Sequence, residues 1–237
     1  MSPLPRAMLL DLDDTILDDA GGADACWRTV CEEFACAAGA RDAATLLAAV
    51  DAEREWYWSD RERHRRGRLD LAAARAGIAA GALRRLGREP GTLAEAVAWA
   101  YGECRRASVR PFPGALEALA AFRERGVRLA LITNGASEMQ RGKIERFGLA
   151  PLFDGILVEG ELGFGKPDDR VFLRALEAVG AGPSDAWVVG DNLDWEIAPA
   201  RRLGMGAVWV DAAGRGLPAD PPALPDRIVR RIAELAP

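Results

Sequence analysis

The hydrophobic rhythm of the chain changes twice. It opens with a short apolar run, Ala7-Met8-Leu9-Leu10, that closes on Asp11-Leu12-Asp13-Asp14-Thr15. Such a run, bounded by polar residues, reads as a buried strand. From about residue 20 to residue 107 the apolar positions recur at helical spacing. Trp27, Val30, Cys31 and Phe34 fall at i, i+3, i+4 and i+7; Leu46, Leu47, Val50 and Tyr57 mark a second helix; Leu71, Ala74 and Ile78 mark a third; Leu93, Val97, Ala100, Tyr101 and Cys104 mark a fourth. This stretch is expected to be all-helical.

Pro111-Phe112-Pro113-Gly114 punctuates the chain, and short apolar runs then alternate with amphipathic ones. The pattern predicts helices near 115–125, 137–147, 169–179, 194–203 and 228–235, and strands at 127–133, 155–159, 186–190 and 207–210. Residues 217–225 read as a Pro-rich connection. Strands that alternate with helices indicate a parallel sheet covered on both faces. A lone first strand cannot bury itself, so it is expected to join that sheet. The expected organisation is a doubly wound α/β core from 1–19 and 108–237, with 20–107 as an inserted helical domain.

Composition removes alternatives. A net charge of −5 and a pI near 5.2 argue against a nucleic-acid or anionic-membrane partner. No apolar run is long enough for a membrane span and no basic, then apolar, leader opens the chain, so a cytoplasmic location is expected. Cys26, Cys31, Cys36 and Cys104 form no CxxC pair and are expected as reduced, mostly buried thiols. His64 is the sole histidine, which excludes an HExxH zinc site, and no GxSxG elbow is present to build a serine triad on it. Arg61–Arg68 reads as a solvated helix end, and Trp56-Tyr57-Trp58 as packing.

Four strand ends carry the polar groups that phosphoryl transfer needs: Asp11-Leu12-Asp13-Asp14-Thr15, Thr133-Asn134-Gly135, Gly165-Lys166-Pro167 and Gly190-Asp191-Asn192. A carboxylate can attack phosphorus to form an acyl phosphate, and side chains two apart on a strand share a side, so one of Asp11 and Asp13 could attack while the other handles protons. Phosphate adds negative charge to an acidic site, which calls for a divalent cation; oxygen-only ligands suit Mg2+, with Asp191 as a further ligand. Thr133, Asn134 and Gly135 offer a hydroxyl, an amide and an unobstructed N–H, and Lys166 a fixed positive charge. The run from Gly160 to Lys166 also fits GxxxxGK, but Pro167 replaces the hydroxyl residue that a nucleotide P-loop needs.

This set, in this order, resembles the haloacid dehalogenase-like (HAD) superfamily of hydrolases, in its members with a helical cap inserted after the first motif. The resemblance implies a Rossmann-like core and a cap that encloses the site and selects the substrate. It implies Asp11 as nucleophile and Asp13 as general acid/base. Mg2+ would be held by the Asp11 carboxylate, the Asp13 carbonyl oxygen and Asp191, with Thr133 and Lys166 on phosphate. The second acid of the last motif is Asp in many relatives; here spacing points to Glu196, with Asp194 also a candidate to support the metal from its second shell. Dehalogenases of the superfamily do not need the second aspartate, so Asp13 favours a phosphatase acting on a small phosphorylated metabolite, as a monomer or homodimer. A haloacid dehalogenase and a phosphomutase are the alternatives within the superfamily, and a phospho-accepting signalling module is the alternative outside it.

Overall fold

Strand β1, Ala7–Leu10, is buried along its whole length and forms a centre of the sheet because its two neighbours both pair with it in parallel. The computed structural model describes residues 4–236. A short strand, β2 (Leu17–Asp18), follows the acidic turn. Five helices come next: α1 (Ala23–Phe34), α2 (Ala43–Ser59), α3 (Arg61–Leu69), α4 (Leu71–Arg85) and α5 (Gly91–Ser108). They make up one compact unit, Asp19–Val109; the second unit is formed by the chain up to Asp18 together with the chain from Arg110 onward.

Within the helical unit, three aspartates set where helices begin. Asp42, Asp60 and Asp70 accept from the backbone N–H groups of Thr45, Arg63 and Ala73, at 2.8, 2.8 and 2.9 Å. Each satisfies an otherwise unpaired donor at a helix N-terminus. The predicted apolar stripes meet in one core, where Trp27 of α1 stacks on Tyr101 of α5 with ring centroids 3.8 Å apart. The arginine-rich run is a separate helix, α3, and its Arg63 lies over the Trp56 ring at 4.0 Å and donates to the Trp56 carbonyl at 2.7 Å. That contact staples the turn between α2 and α3.

The expectation of reduced thiols fails for two cysteines. Cys26 and Cys104 form a disulfide, with Cα atoms 5.6 Å apart. Each lies beside the Trp27–Tyr101 stack, so the packing of α1 on α5 brings together residues that sequence spacing gave no reason to pair. Cys31 is buried and Cys36 exposed, both as free thiols.

In the other unit, β3 (Arg110–Pro111) pairs antiparallel with β2, and the chain continues through α6 (Ala115–Glu124), β4 (Arg128–Thr133), α7 (Ser137–Arg146), β5 (Gly155–Val158), α8 (Glu159–Leu162), α9 (Asp169–Val179), β6 (Ala186–Gly190), α10 (Ala198–Arg202), β7 (Gly206–Val210) and β8 (Arg227–Val229). The main sheet has the order β5-β4-β1-β6-β7-β8 and is parallel throughout. Ala7 and Leu9 of β1, Ala130 and Ile132 of β4 and Val188 of β6 share a core with the apolar stripe of α9, Val171, Phe172, Ala175, Leu176 and Val179. This is the doubly wound α/β sheet with an inserted all-helical unit that the sequence pattern predicts.

The predicted helix at 228–235 is not formed. Arg227–Val229 is an edge strand instead, and Ile232–Leu235 is a single 3₁₀ turn. The β-branched pair Ile228-Val229 finds a parallel partner in β7, which outweighs the weak helical spacing of so short a run. Among the described residues no helix is long and apolar enough to cross a membrane.

Phe172 is fully buried where α9 meets the sheet. Phe172→Ala is expected to lower the unfolding free energy by about 3–5 kcal/mol, seen in a urea titration as an earlier midpoint. An unchanged midpoint would contradict the placement of this core.

Candidate active site

The strand order reverses at β1: the chain proceeds outward through β4 and β5 on one side, and through β6, β7 and β8 on the other. The carboxyl ends of β4, β1 and β6 therefore stand side by side at a topological switch point, where open α/β sheets bind ligands. The Asp11 N–H donates to the Val189 carbonyl at 3.0 Å, so Asp11 is one residue past the end of β1, level with the end of β6.

Lys166 arrives from the loop between α8 and α9. Its ammonium donates to the Asp11 carboxylate, and to Glu196 at 2.6 Å. The loop is held by Asn134, which accepts from the Lys166 N–H at 2.9 Å and donates to the Lys166 carbonyl at 2.8 Å. Gly165 has no space for a side chain, since a β-carbon there would run into Asn134 and Glu159. The GxxxxGK run does not form a cradle, because Gly160 lies within α8 and packs against the backbone at Gly135 and Ala136.

Asp191 follows β6 directly, and its carbonyl accepts from the Trp209 indole of β7 at 2.7 Å. The chain then takes a π turn, Leu193–Ile197, capped by the Asn192 side chain. This wide turn carries Glu196 back over the strand end, where it accepts from the Asn192 N–H at 2.8 Å; π turns of this kind recur at functional sites. Gly190 is bare for the same reason, as a β-carbon there would meet the Glu196 carboxylate. Asp194 is exposed on the turn and lies outside the acidic cluster.

Asp11, Asp191 and Glu196 each offer a carboxylate oxygen within 4.8 Å of the others. Burial drives the Asp11 carboxyl up to about 7; Lys166 opposes the rise, while Glu196 and Asp13 add to it. Asp191 is pushed up to about 9, first by burial and then by Glu196 and Asp11. Burial works against the Lys166 ammonium, but Asp11 and Glu196 outweigh it and raise its pKa above the ordinary lysine value. Three carboxylates face one ammonium, so the centre is short of positive charge.

Asp13 sits apart from that cluster, on the turn between β1 and β2. Gln140 donates to its Oδ2 at 2.9 Å and Lys143 to its Oδ1 at 2.8 Å. Thr133 is buried at the end of β4, and its hydroxyl oxygen accepts from Gln140. The Gly135 N–H donates to the buried Glu159 carboxylate at 3.1 Å. Asp14, for which the sequence suggested no role, adopts a left-handed conformation, φ 61°, and its charge bears on Asp191. Sequence reasoning also missed Gln140, Lys143 and Glu159. The first two stand at i and i+3 in the helix that follows the Thr133 motif, and this spacing was the available signal.

The sequence model of the haloacid dehalogenase-like hydrolases matches residues 5–204. The phosphoserine phosphatase of Thermus thermophilus is 37% identical, with 97% of each chain covered. Among solved structures, the 2-haloacid dehalogenase from Pseudomonas syringae is 27% identical, with 98% of this chain and 96% of that one covered and a TM-score of 0.62. The HAD-hydrolase YfnB from Bacillus subtilis, solved bound to magnesium, is 22% identical with 98% and 97% covered; its TM-score of 0.73 speaks for the fold alone. With the family model spanning most of its length and a relative 37% identical from end to end, this chain belongs to the haloacid dehalogenase-like hydrolases.

Proposed function

We propose that this protein is a Mg2+-dependent phosphomonoester hydrolase that forms and breaks an aspartyl-phosphate at Asp11. The observation that carries this reading is the meeting of Asp11, Lys166, Asp191 and Glu196 at the carboxyl edge of the sheet, with Asp13 two residues further along the same turn. The 37% identity with a phosphoserine phosphatase supports a phosphate ester as the substrate class.

The donor set fits Mg2+. Its ligands would be hard oxygens, and the raised pKa values of the buried Asp11 and half-buried Asp191 carboxyls mark uncompensated negative charge that a divalent cation relieves. Asp11, Asp191 and the Asp13 carbonyl oxygen would hold the ion, with Glu196 supporting them; the exposed Asp194 drops out of this role. When bound, Mg2+ supplies the charge neutralisation that lets an anionic phosphoryl group enter an acidic site.

In the first step an Asp11 carboxylate oxygen bonds to phosphorus as the ester P–O bond breaks, and Asp13 gives a proton to the departing oxygen, which leaves as an alcohol. In the second, water attacks phosphorus and gives a proton to Asp13. The acyl phosphate P–O bond breaks, releasing inorganic phosphate and the Asp11 carboxylate. Lys166 fixes Asp11 and presents positive charge to the transferring oxygens. Thr133 accepts from Gln140 and so has its own O–H to give to phosphate. Asn134 serves by clamping the Lys166 loop, and the Gly135 N–H is engaged by Glu159, so neither is assigned a phosphate contact. Choice of the leaving group is assigned to the helical unit acting as a cap. The acidic net charge supports a small phosphorylated metabolite in the cytoplasm rather than a nucleic acid or membrane as partner.

A dehalogenase would have no use for the proton carried by Asp13. A phosphomutase would return the phosphoryl group to product, and a signalling module would hold its acyl phosphate without turnover.

Asp11→Asn is expected to reduce phosphate release from a panel of phosphomonoesters by at least about a thousandfold, and EDTA to abolish the wild-type rate reversibly. Activity that survives Asp11→Asn would end the nucleophile assignment.

The raised carboxyl pKa values give a second expectation. Groups whose folded-state pKa lies above the ordinary 3.8 contribute stability that is complete below about pH 4 and is lost as pH rises through about 7 and 9. In EDTA the melting temperature should therefore fall between pH 5 and 9. Mg2+ competes with protons for the same oxygens, so its stabilisation, about 2.7 kcal/mol at 100 times Kd, should grow over that range. Thermal melts at several pH values with and without Mg2+ check this; equal metal shifts at pH 5 and pH 9 would contradict it.

A further inference from the structure

Asp13 lies past the end of β1, where the chain bridges locally to Leu17. The chain reverses immediately after it, with Asp14 in the left-handed region and the Asp14 N–H donating to the Leu17 carbonyl at 2.6 Å. A carboxylate on such a turn can take several rotamers, while proton transfer to a leaving oxygen requires one. Both of its oxygens are nevertheless engaged, and both donors come from one face of α7. Lys143 Nζ lies 2.8 Å from Oδ1 and Gln140 Nε2 lies 2.9 Å from Oδ2.

The two donors are unequal. The Gln140 amide has two protons to share among Asp13 Oδ2, the Asn134 carbonyl at 3.0 Å and the Thr133 hydroxyl. It ties the ends of β1 and β4 together and divides its donors among three acceptors. The Lys143 ammonium is largely buried, its side chain 15% exposed, so its charge-assisted bond to Asp13 is shielded from solvent screening.

We infer that Lys143, seconded by Gln140, is a positioning residue that aims the Asp13 carboxyl group at the leaving-group oxygen. The inference rests on the phosphatase reading and on the acid role of Asp13 within it. It separates the residues that hold the nucleophile, reached through Lys166, from those that hold the proton carrier, reached through α7.

Phenyl phosphate and p-nitrophenyl phosphate provide the test, because the first leaving oxygen needs a proton far more than the second. Full-length wild type, Lys143→Met, Lys143→Gln, Lys143→Arg and Asp13→Asn are compared on both esters with Mg2+, after circular dichroism has established folding. Asp13→Asn is expected to lose more kcat/KM on phenyl phosphate. Lys143→Met and Lys143→Gln should share that bias, widening the ratio of the two kcat/KM values by about tenfold, and Lys143→Arg should recover most of it. Equal losses on the two esters in the Lys143 variants, or unfolding of all three, overturn the inference while an intact Asp13→Asn bias leaves the phosphatase reading in place. Absence of the bias in Asp13→Asn removes the acid role and the inference with it. A wild type that releases phosphate from neither ester nor from any phosphomonoester of the panel defeats both readings.

Discussion

A lysine ammonium buried between two carboxylates is the constraint on which the rest of this site depends. Lys166 is almost fully enclosed, and its charge is tolerable there only because Asp11 and Glu196 lie against it. Taking the ammonium away leaves carboxylates with no cation in a poorly solvated place, and breaking a buried pair in this way typically costs about 3–5 kcal/mol. The triad therefore demands that three distant segments arrive together: the end of β1, the loop before α9 and the π turn after β6. The parallel register of β1 with β6 delivers two of them, the Asn134 clamp delivers the third, and Gly165 and Gly190 leave the room. Even so, Asp191 adds a carboxylate that Lys166 does not neutralise, and this surplus is what makes the centre suited to a cation.

Two carboxylates two residues apart have been given opposite surroundings. Asp11 is enclosed and paired with a lysine from the loop before α9, whereas Asp13 stands on an open turn and is gripped from α7. Pairs of acidic groups divided in this way are how one site can supply both a fixed nucleophile and a mobile proton. The division comes from the backbone: Asp11 is the last residue still bonded to the sheet, and Asp13 is already in the turn.

What the sequence made legible follows the same boundary. The apolar runs at 127–133, 186–190 and 207–210 are strands because they are buried on both faces, and their polar ends converge because parallel strands end together. Asp11, Lys166, Asp191 and Glu196 could therefore be singled out before any coordinates. Gln140 and Lys143 offered only their i, i+3 spacing, and a polar residue on an amphipathic helix looks the same whether it faces water or a turn of another segment. The disulfide was hidden for a related reason, since Cys26 and Cys104 are 78 residues apart and only the packing of α1 on α5 brings them together. At 228–235 the helical pattern was too short to compete with an open sheet edge.

All the clustered groups belong to the unit that carries the sheet, and none to Asp19–Val109. The geometry of this cluster is thus set within the unit that carries the sheet. The helical unit has its own core, its own caps and its own disulfide. Chemistry that is written into strand ends is constrained by packing, so it can be read from spacing. Side chains on a helical surface are under no such constraint, and this is why a reaction class can be proposed from the residues while the leaving group must be found by assay.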